Sequence, residues 1–221
     1  MNEIIRAEFH CHSNYSFDSL ASIENMIAAC RKKGIGKLAI TDHGRMSGSV
    51  AAQKLAPDLV IVAEEILTSE GEILAYFMKE EIPDGLEPME VIRRLRAQGA
   101  FISVAHPFDP WRGSHWKDGT LEAMVPFLDG FEVFNARCFN PEFNEEARRF
   151  AEEQGLAFMA GSDAHSLGEL GQASMNMPVF YTADEMREAV KSAKIEATLS
   201  SKTVRFRSTA AKIIKKFSSN S

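Results

Sequence analysis

Short apolar runs that alternate with amphipathic segments limit the possible folds of this chain more than any other feature. KLAIT (37–41) and DLVIVA (58–63) are nearly continuous in apolar residues, which is typical of strands buried on both faces of a parallel sheet. The same pattern predicts further strands at 7–12, 72–78, 100–105, 130–134 and 156–160. Repeated units of this kind indicate an α/β fold, either a doubly wound sheet or a closed barrel.

Helix signals occupy the intervals between these runs. Ser22 stands at a plausible N-cap and Gly34 just past the end of the helix that follows. Thr182 and Glu185 have the spacing of a capping box for a helix over 182–194. Neither GxGxxG nor GxxxxGK[ST] follows a predicted strand, so a nucleotide-type phosphate loop is not supported.

Charge divides the chain into an acidic body and a basic tail. Its 221 residues carry a net charge of −6, and the 45% hydrophobic and 25% charged fractions are ordinary globular values. Residues 201–221 hold six Lys and Arg and no acid, so residues 1–200 hold 19 basic and 31 acidic residues, a net charge of −12. A chain of 221 residues has a normal length for a single α/β barrel, so we expect one domain over residues 1–200. An acidic body is a poor nucleic-acid surface unless bound cations change its local sign.

The basic tail allows two interpretations. TAAKIIKKF can form a short amphipathic helix that contacts an anionic membrane or nucleic acid, but a solvated, flexible terminus is the favoured expectation. The first residues lack the apolar run of a signal peptide, and no apolar stretch approaches the length of a membrane span. The three cysteines show no CxxC spacing, as in proteins of a reducing compartment. We therefore expect a cytoplasmic protein with no membrane span and no obligatory protein partner.

Five of the six histidines stand at the ends of predicted strands. Alternation along the first strand sends His10 and His12 to one face and Cys11 to the other, so both imidazoles can reach one metal ion. The other three are His43, His106 and His165, and nearby carboxylates include Asp18, Asp42, Glu64, Glu65, Glu70, Glu72 and Asp163. The carboxyl ends of barrel strands share one rim, which favours the barrel over the open sheet. Imidazole with carboxylate is the ligand set of zinc, manganese or iron.

The motifs resemble, in order and spacing, those of the polymerase-and-histidinol-phosphatase (PHP) superfamily. HCHS with Asp18 downstream, TDH, a Glu after the third strand, HP and SDAH carry the resemblance over residues 8–180. It implies a distorted (β/α)7 TIM-like barrel with two or three divalent metal ions at its C-terminal mouth. Superfamily members are mostly phosphoesterases, and some are nuclease or proofreading modules of DNA polymerases.

The resemblance also implies a set of ligands and catalytic groups. His10, His12, Glu65 and Asp163 would hold one ion, with Glu65 bridging and Glu64 as the alternative. Asp18, His43 and His165 would hold another, and His106 would complete the second or third. Glu72 stands where many members have a His, so the count of two or three ions stays open. Catalytic roles are predicted for Asp18, His43 and Glu65, with the proton donor to the leaving group open between Asp18 and His43. Asp42 either orients a ligand imidazole or caps the next helix.

Substrate binding is predicted for residues that follow strands onto the same rim. Arg137 is the expected phosphate clamp, Asn135 a neighbouring donor and Arg45 a second candidate cation. The aromatic stretch 109–116 forms either a stacking lid or a loop pinned by Trp111 and Trp116. The expected reaction is hydrolysis of a small phosphorylated metabolite or nucleotide by a metal-activated hydroxide. The alternatives are a nuclease that acts on the end of a short oligonucleotide, a hydrolase of amides or other esters, and a metal-binding barrel without hydrolytic activity.

Overall fold

A computed structural model describes residues 3–112, 116–117, 119–201 and 204–218. Within these ranges nine strands form one sheet. The strands are β1 (Ile4–Cys11), β2 (Ile35–Ile40), β3 (Val60–Leu67), β4 (Glu72–Tyr76), β5 (Phe101–Val104), β6 (Gly130–Asn135), β7 (Phe158–Gly161), β8 (Ala173–Pro178) and β9 (Lys194–Ala197). The helices are α1 (Ile23–Lys32), α2 (Ser47–Leu55), α3 (Pro88–Gln98), α4 (Thr120–Met124), α5 (Pro141–Glu153), α6 (Ala183–Ala189) and α7 (Val204–Ser218). Short 3₁₀ turns follow α4 and α6, at Val125–Phe127 and Val190–Ser192.

The sheet curls into a nearly closed barrel. Its strand order is β7-β6-β5-β4-β3-β2-β1-β8-β9. The segment that follows β7 is hydrogen-bonded to the end of β1. His12 N donates to Ala164 O at 2.8 Å, and Ala164 N donates to His10 O at 3.2 Å. These bonds bring the end of β7 against the end of β1, which confirms the distorted barrel expected from the sequence.

The barrel is distorted because one of its strands is reversed. Parallel pairing joins β1, β2 and β3 on one side and β5, β6 and β7 on the other. Between them β4 runs antiparallel to both of its neighbours. The first residue of β4, Glu72, therefore lies at the same rim as the last residues of the parallel strands. Outside the barrel β8 and β9 add an antiparallel pair beside β1.

The structure contains strand residues that the apolar runs did not predict. The apolar run 58–63 predicts a strand that ends before the acidic pair, but β3 continues to Leu67 because Glu64 and Glu65 pair with residues of β4. The apolar runs predicted no strand at 173–178 or 194–197, where the structure has β8 and β9. The helix predicted over 182–194 ends at Ala189, before a 3₁₀ turn and β9. Several helix signals are confirmed, among them the N-cap at Ser22 and the capping box at Thr182.

Apolar side chains fill the lower part of the barrel and leave its mouth polar. Ile61 and Ala63 on β3 belong to this interior cluster, with Leu74 and Tyr76 on the antiparallel β4. Since side chains two residues apart share a face of a strand, the next inward position on β3 after Ala63 is Glu65. Cys11 instead lies in the layer under α1, where its thiol donates to Ala39 O, as expected from strand alternation.

Residues 204–218 of the basic tail form the helix α7, where the favoured expectation was a solvated, flexible terminus. Ala211 on α7 is 3% exposed, so the helix packs against the body. Lys215 Nζ donates to Asn14 O at 2.6 Å and to Ser16 O. Residues 204–218 therefore form a helix that packs on the body, while contact of this helix with a membrane or nucleic acid stays a prediction. Among the described residues, no helix has the length and apolarity that crossing a membrane would require.

Candidate metal centre

All nine predicted metal ligands converge at the mouth of the barrel. They form four overlapping groups, and within each group one potential ligand atom per residue lies within 4.8 Å of the others. The nine are His10, His12, Asp18, His43, Glu65, Glu72, His106, Asp163 and His165. Most are buried, so their ligand atoms face one another rather than bulk solvent.

Two carboxylates, Glu65 and Asp163, lie beside His10 on β1 and His12 just after it. His10 Nε2 and His12 Nε2 lie 3.3 and 3.4 Å from Glu65 Oε2. The same two nitrogens lie 3.9 and 3.4 Å from Asp163 Oδ1. A small space enclosed by two imidazoles and two carboxylates suits a single divalent ion.

A second group surrounds Asp18. His165 Nε2 is 3.1 Å and His43 Nε2 is 3.5 Å from Asp18 Oδ2. His12 completes this group, with its ring centroid 4.2 Å from that of His165.

A third group surrounds the first residue of the reversed strand. His106 Nε2 lies 3.1 Å from Glu65 Oε1 and 3.4 Å from Glu72 Oε2. His43 Nδ1 lies 3.0 Å from Glu65 Oε2. Glu65 therefore borders two neighbouring groups, while Glu64 points elsewhere and accepts a hydrogen bond from Ile82 N at 3.3 Å.

Several buried ligand atoms have no hydrogen-bond partner among the described residues. They are His10 Nε2, His12 Nδ1, His12 Nε2 and Glu65 Oε2. Leaving such atoms unpaired is costly in a folded protein, so each one calls for a partner. His10 Nε2 and His12 Nε2 both lie within 3.4 Å of Glu65 Oε2, and the imidazole and carboxylate donor set fits divalent transition metals.

The electrostatics of the cluster agree with this fit. Burial, with the neighbouring His165 and His43, lowers the pKa of His12 to about 3, so its ring is neutral at pH 7 and has a free lone pair. Burial also opposes protonation of His10, but Glu65, Glu132 and Asp163 outweigh it and hold the pKa of His10 well above its ordinary value. Without a metal ion, a proton on His10 offsets the negative charge of these carboxylates. A bound metal ion would offset that charge instead.

Two cluster residues have a strained backbone. His106 has φ of 26° and Asp163 has φ of 50°, a region that residues other than glycine rarely adopt. Strain of this kind persists only where surrounding contacts hold it, and it concentrates at functional sites.

A buried layer beneath the cluster orients its members, and sequence reasoning missed its central residue. Glu132 on β6 accepts a hydrogen bond from His10 Nδ1 at 2.9 Å and from His106 N at 2.7 Å. The first bond fixes the His10 ring with Nε2 toward the cluster. A single acid inside the apolar run 130–134 was the available signal. Asp42 accepts from Ser13 N and Ser13 Oγ, both at 2.6 Å, and so holds the loop after β1 rather than an imidazole or a helix end.

The three predicted substrate-binding residues occupy different environments. Arg137 is at the rim, with Nη1 2.7 Å from His165 Nδ1 and Nε 3.3 Å from Glu169 Oε1. Asn135 is fully buried, and its Nδ2 donates to Glu132 and Asp163, so it positions carboxylates and does not reach the cavity. Arg45 is exposed and is not among the residues that line the cavity.

Arg112 is a rim cation that sequence reasoning did not single out. Its Nη2 lies 2.5 Å from Asp163 Oδ2 and 3.3 Å from Asn135 Oδ1. Arg112 lies on the loop after β5, and nothing in the local sequence of this loop indicates a contact with Asp163. Part of this loop, 113–115 with His115, lies outside the described residues, so the lid over 109–116 stays a prediction. Trp116 packs over Gly71, where a Cβ would come within 2.1 Å of the indole.

A cavity of about 920 Å³ opens above the cluster. Two aromatic residues, Phe17 and Trp111, line it together with the cations Arg112, Arg137 and Lys212. This volume lies in the range of small-molecule sites. The fold and the cluster thus define a barrel protein whose mouth holds histidine and carboxylate groups that could bind metal ions.

Comparison with known families assigns the chain within that class. The PHP domain family model matches residues 8–81, and the PHP-associated model matches residues 141–195. Uncharacterized protein MJ0417 of Methanocaldococcus jannaschii is 38% identical over 172 residues, which cover 76% of this chain and 69% of that protein. The chain belongs to the PHP family. A "Probable phosphatase" of Caldicellulosiruptor bescii is 22% identical over 229 residues, covering 89% of this chain and 95% of its own length.

Solved structures agree on the fold. A two-domain protein of Bacteroides vulgatus that contains a predicted PHP-like metal-dependent phosphoesterase has a TM-score of 0.73 at 18% identity, covering 89% of this chain and 66% of that one. The lesion-specific endonuclease PfuEndoQ of Pyrococcus furiosus has a TM-score of 0.65 at 17% identity, covering 87% of this chain and 58% of that one.

Proposed function

We propose that the protein is a metal-dependent phosphoric ester hydrolase that acts on a small phosphorylated metabolite or nucleotide. The observation that carries the proposal is the convergence of nine potential ligands, in which His10 Nε2, His12 Nε2 and Glu65 Oε2 are buried without hydrogen-bond partners among the described residues. Two or three divalent ions, zinc, manganese or iron, would fit these spaces. Bound there, such ions lower the pKa of water and neutralise charge on phosphoryl oxygens.

The residues around the cluster support a phosphate ester as the substrate. Arg137 and Arg112 bring guanidinium groups to the same cavity, and guanidinium matches the geometry of phosphate oxygens. Glu132 and Asn135 hold ligand side chains in place from below. Of the three predicted catalytic residues, Glu65 is fully inside the cluster, whereas Asp18 and His43 also line the cavity. Either of these two could assist departure of the leaving group only where metal does not fully engage it, so the assignment of that role stays open.

The relatives point toward the same chemistry and leave the substrate open. One is named a probable phosphatase, and one fold neighbour is described as a metal-dependent phosphoesterase. Another neighbour is an endonuclease, so an oligonucleotide end is the rival substrate. The acidic body, with a net charge of −12 over residues 1–200, favours the small molecule because a long strand needs a basic groove. The complete ligand set favours hydrolysis over a purely structural metal site.

The test is a hydrolysis assay resolved by metal. The full chain is stripped of metal, reloaded separately with manganese, zinc, iron or magnesium, and offered p-nitrophenyl phosphate, its diester, nucleoside bisphosphates and short oligonucleotides. We expect phosphate release that needs at least two ions per chain and is lost in His12→Gln and Asp163→Asn. Glu188→Gln, a surface change on α6, is the matched control. A fully loaded protein that hydrolyses none of these esters would contradict the proposal.

A further inference from the structure

Helix α7 lies across the mouth of the barrel and is attached on two sides of the cavity. On one side Lys215 donates to the carbonyl oxygens of Asn14 and Ser16, in the loop after β1. On the other side Arg137 Nη2 donates to Ser208 Oγ at 2.9 Å. The segment of α7 between these attachments borders the cavity above the metal centre.

Lys212 occupies that segment and directs its amino group into the mouth. Its Nζ lies 5.0 Å from the centre of the Phe17 ring and 3.8 Å from Asp18 Oδ2. The side chain is 52% exposed and lines the cavity. A separation of 3.8 Å is too long for a hydrogen bond, so Asp18 attracts the ammonium without saturating its donors.

We propose that Lys212 is a substrate-binding residue that contacts the phosphoryl oxygens of a phosphomonoester, so that helix α7 forms one wall of the active site. The identity of the ligand class rests on the function proposed above. Lys212 and the two rim arginines, Arg112 and Arg137, line the same cavity from different elements. A lysine ammonium is a compact point charge that suits a phosphate dianion.

The competing explanation is a structural one, in which Lys212 only offsets the charge of Asp18 and helps to seat the helix. The two explanations differ in accessibility. A residue that binds substrate is covered when phosphate occupies the cavity, whereas a residue that only offsets Asp18 keeps the same exposure. Chemical modification of lysines separates them without relying on catalysis.

The first experiment is lysine acetylation of the full chain, followed by mass spectrometry, with and without inorganic phosphate and in metal-loaded and metal-stripped protein. We expect saturating phosphate to slow acetylation of Lys212 about tenfold in the loaded protein. Lys191, which pairs with Glu188 on the surface and lies outside the cavity, is the internal reference and should not change. Equal reactivity of Lys212 with and without phosphate overturns the proposal.

The second experiment compares Lys212→Gln, Lys212→Arg and the control Lys191→Gln by calorimetric titration with inorganic phosphate. Loss of a charged hydrogen-bond donor predicts a Kd about 10-fold to 100-fold weaker in Lys212→Gln, largely restored by arginine. In steady-state assays the same variant should raise KM more than it lowers kcat. Thermal unfolding of each variant checks that the helix and body remain folded.

Failure of this proposal and failure of the proposed function give different results. Protection of Lys212 by phosphate in a protein that hydrolyses no ester supports the binding site and refutes the reaction. Hydrolysis that persists with unchanged KM and unchanged phosphate Kd in Lys212→Gln refutes the role of Lys212 and leaves the phosphoesterase intact.

Discussion

Replacing Glu65 with glutamine should remove metal from the centre, whereas the same change at its neighbour Glu64 should not. The two adjacent acids lie on opposite faces of β3. Glu65 Oε2 lies 3.0 to 3.4 Å from imidazole nitrogens of His10, His12 and His43. Glu64 lies in none of the ligand groups.

The size of the effect follows from the two groups that Glu65 borders. Glutamine keeps the shape but replaces one ligand oxygen with an amide nitrogen and removes the charge. Loss of residues that merely orient ligands weakens metal binding about 10-fold to 100-fold. We therefore expect Glu65→Gln to cost at least about 100-fold in affinity, or about 2.8 kcal/mol, for each of two ions.

Glu64→Gln is a close control because burial raises the pKa of Glu64 to about 8. At pH 7 its carboxyl group is therefore mostly protonated and neutral, as an amide is. Metal content per chain, measured by mass spectrometry after dialysis against buffered free metal, should fall in Glu65→Gln and stay near the parent value in Glu64→Gln. Thermal unfolding verifies that both variants fold. Metal loss in Glu64→Gln with retention in Glu65→Gln would refute the geometry and restore Glu64 as the bridging acid.

Three further predictions concern the supports of the centre and its coupling to stability. Glu132→Gln removes the acceptor that orients His10, so metal affinity should fall about 10-fold to 100-fold in a competition titration, and an unchanged affinity would contradict that role. Phe9→Ala should lower the free energy of unfolding by about 3–5 kcal/mol in urea titrations, because Phe9 is 1% exposed and packs against Tyr76 and Phe180. Chelation should lower Tm, since metal at 100 times its Kd stabilises the folded state by about 2.7 kcal/mol, and a Tm that does not depend on metal would argue against a resident ion.

The convergence of the histidines could be predicted because they stand at or close to the ends of strands. An apolar run predicts a strand, and the carboxyl ends of barrel strands meet at one rim, so His43 and His165 come together without further information. Strand periodicity would also have separated Glu64 from Glu65, once β3 was known to continue past Ala63. β3 continues past Ala63 because it pairs with β4. This contact between two strands cannot be inferred from the apolar run 58–63.

Residues that support the centre from a distance were harder to predict. Glu132 is an acid within a strand, and Arg112 is an arginine on a loop, so each has an ordinary local explanation. Their roles depend on partners far along the chain, such as His10 for Glu132 and Asp163 for Arg112. Periodicity and motif spacing describe neighbours in sequence and cannot report contacts of this range.

The basic tail shows how the same limit affects a whole element. Six cations without an acid, taken alone, are typical of a solvated terminus. Beside a body with a net charge of −12, the same charges are complementary, and residues 204–218 form a helix that borders the cavity above the cluster. Lys215 reaches backbone carbonyls of the loop that holds Asp18, and Lys212 lies beside Asp18 itself. The opposite charges of body and tail therefore favour the packing of α7 against the body.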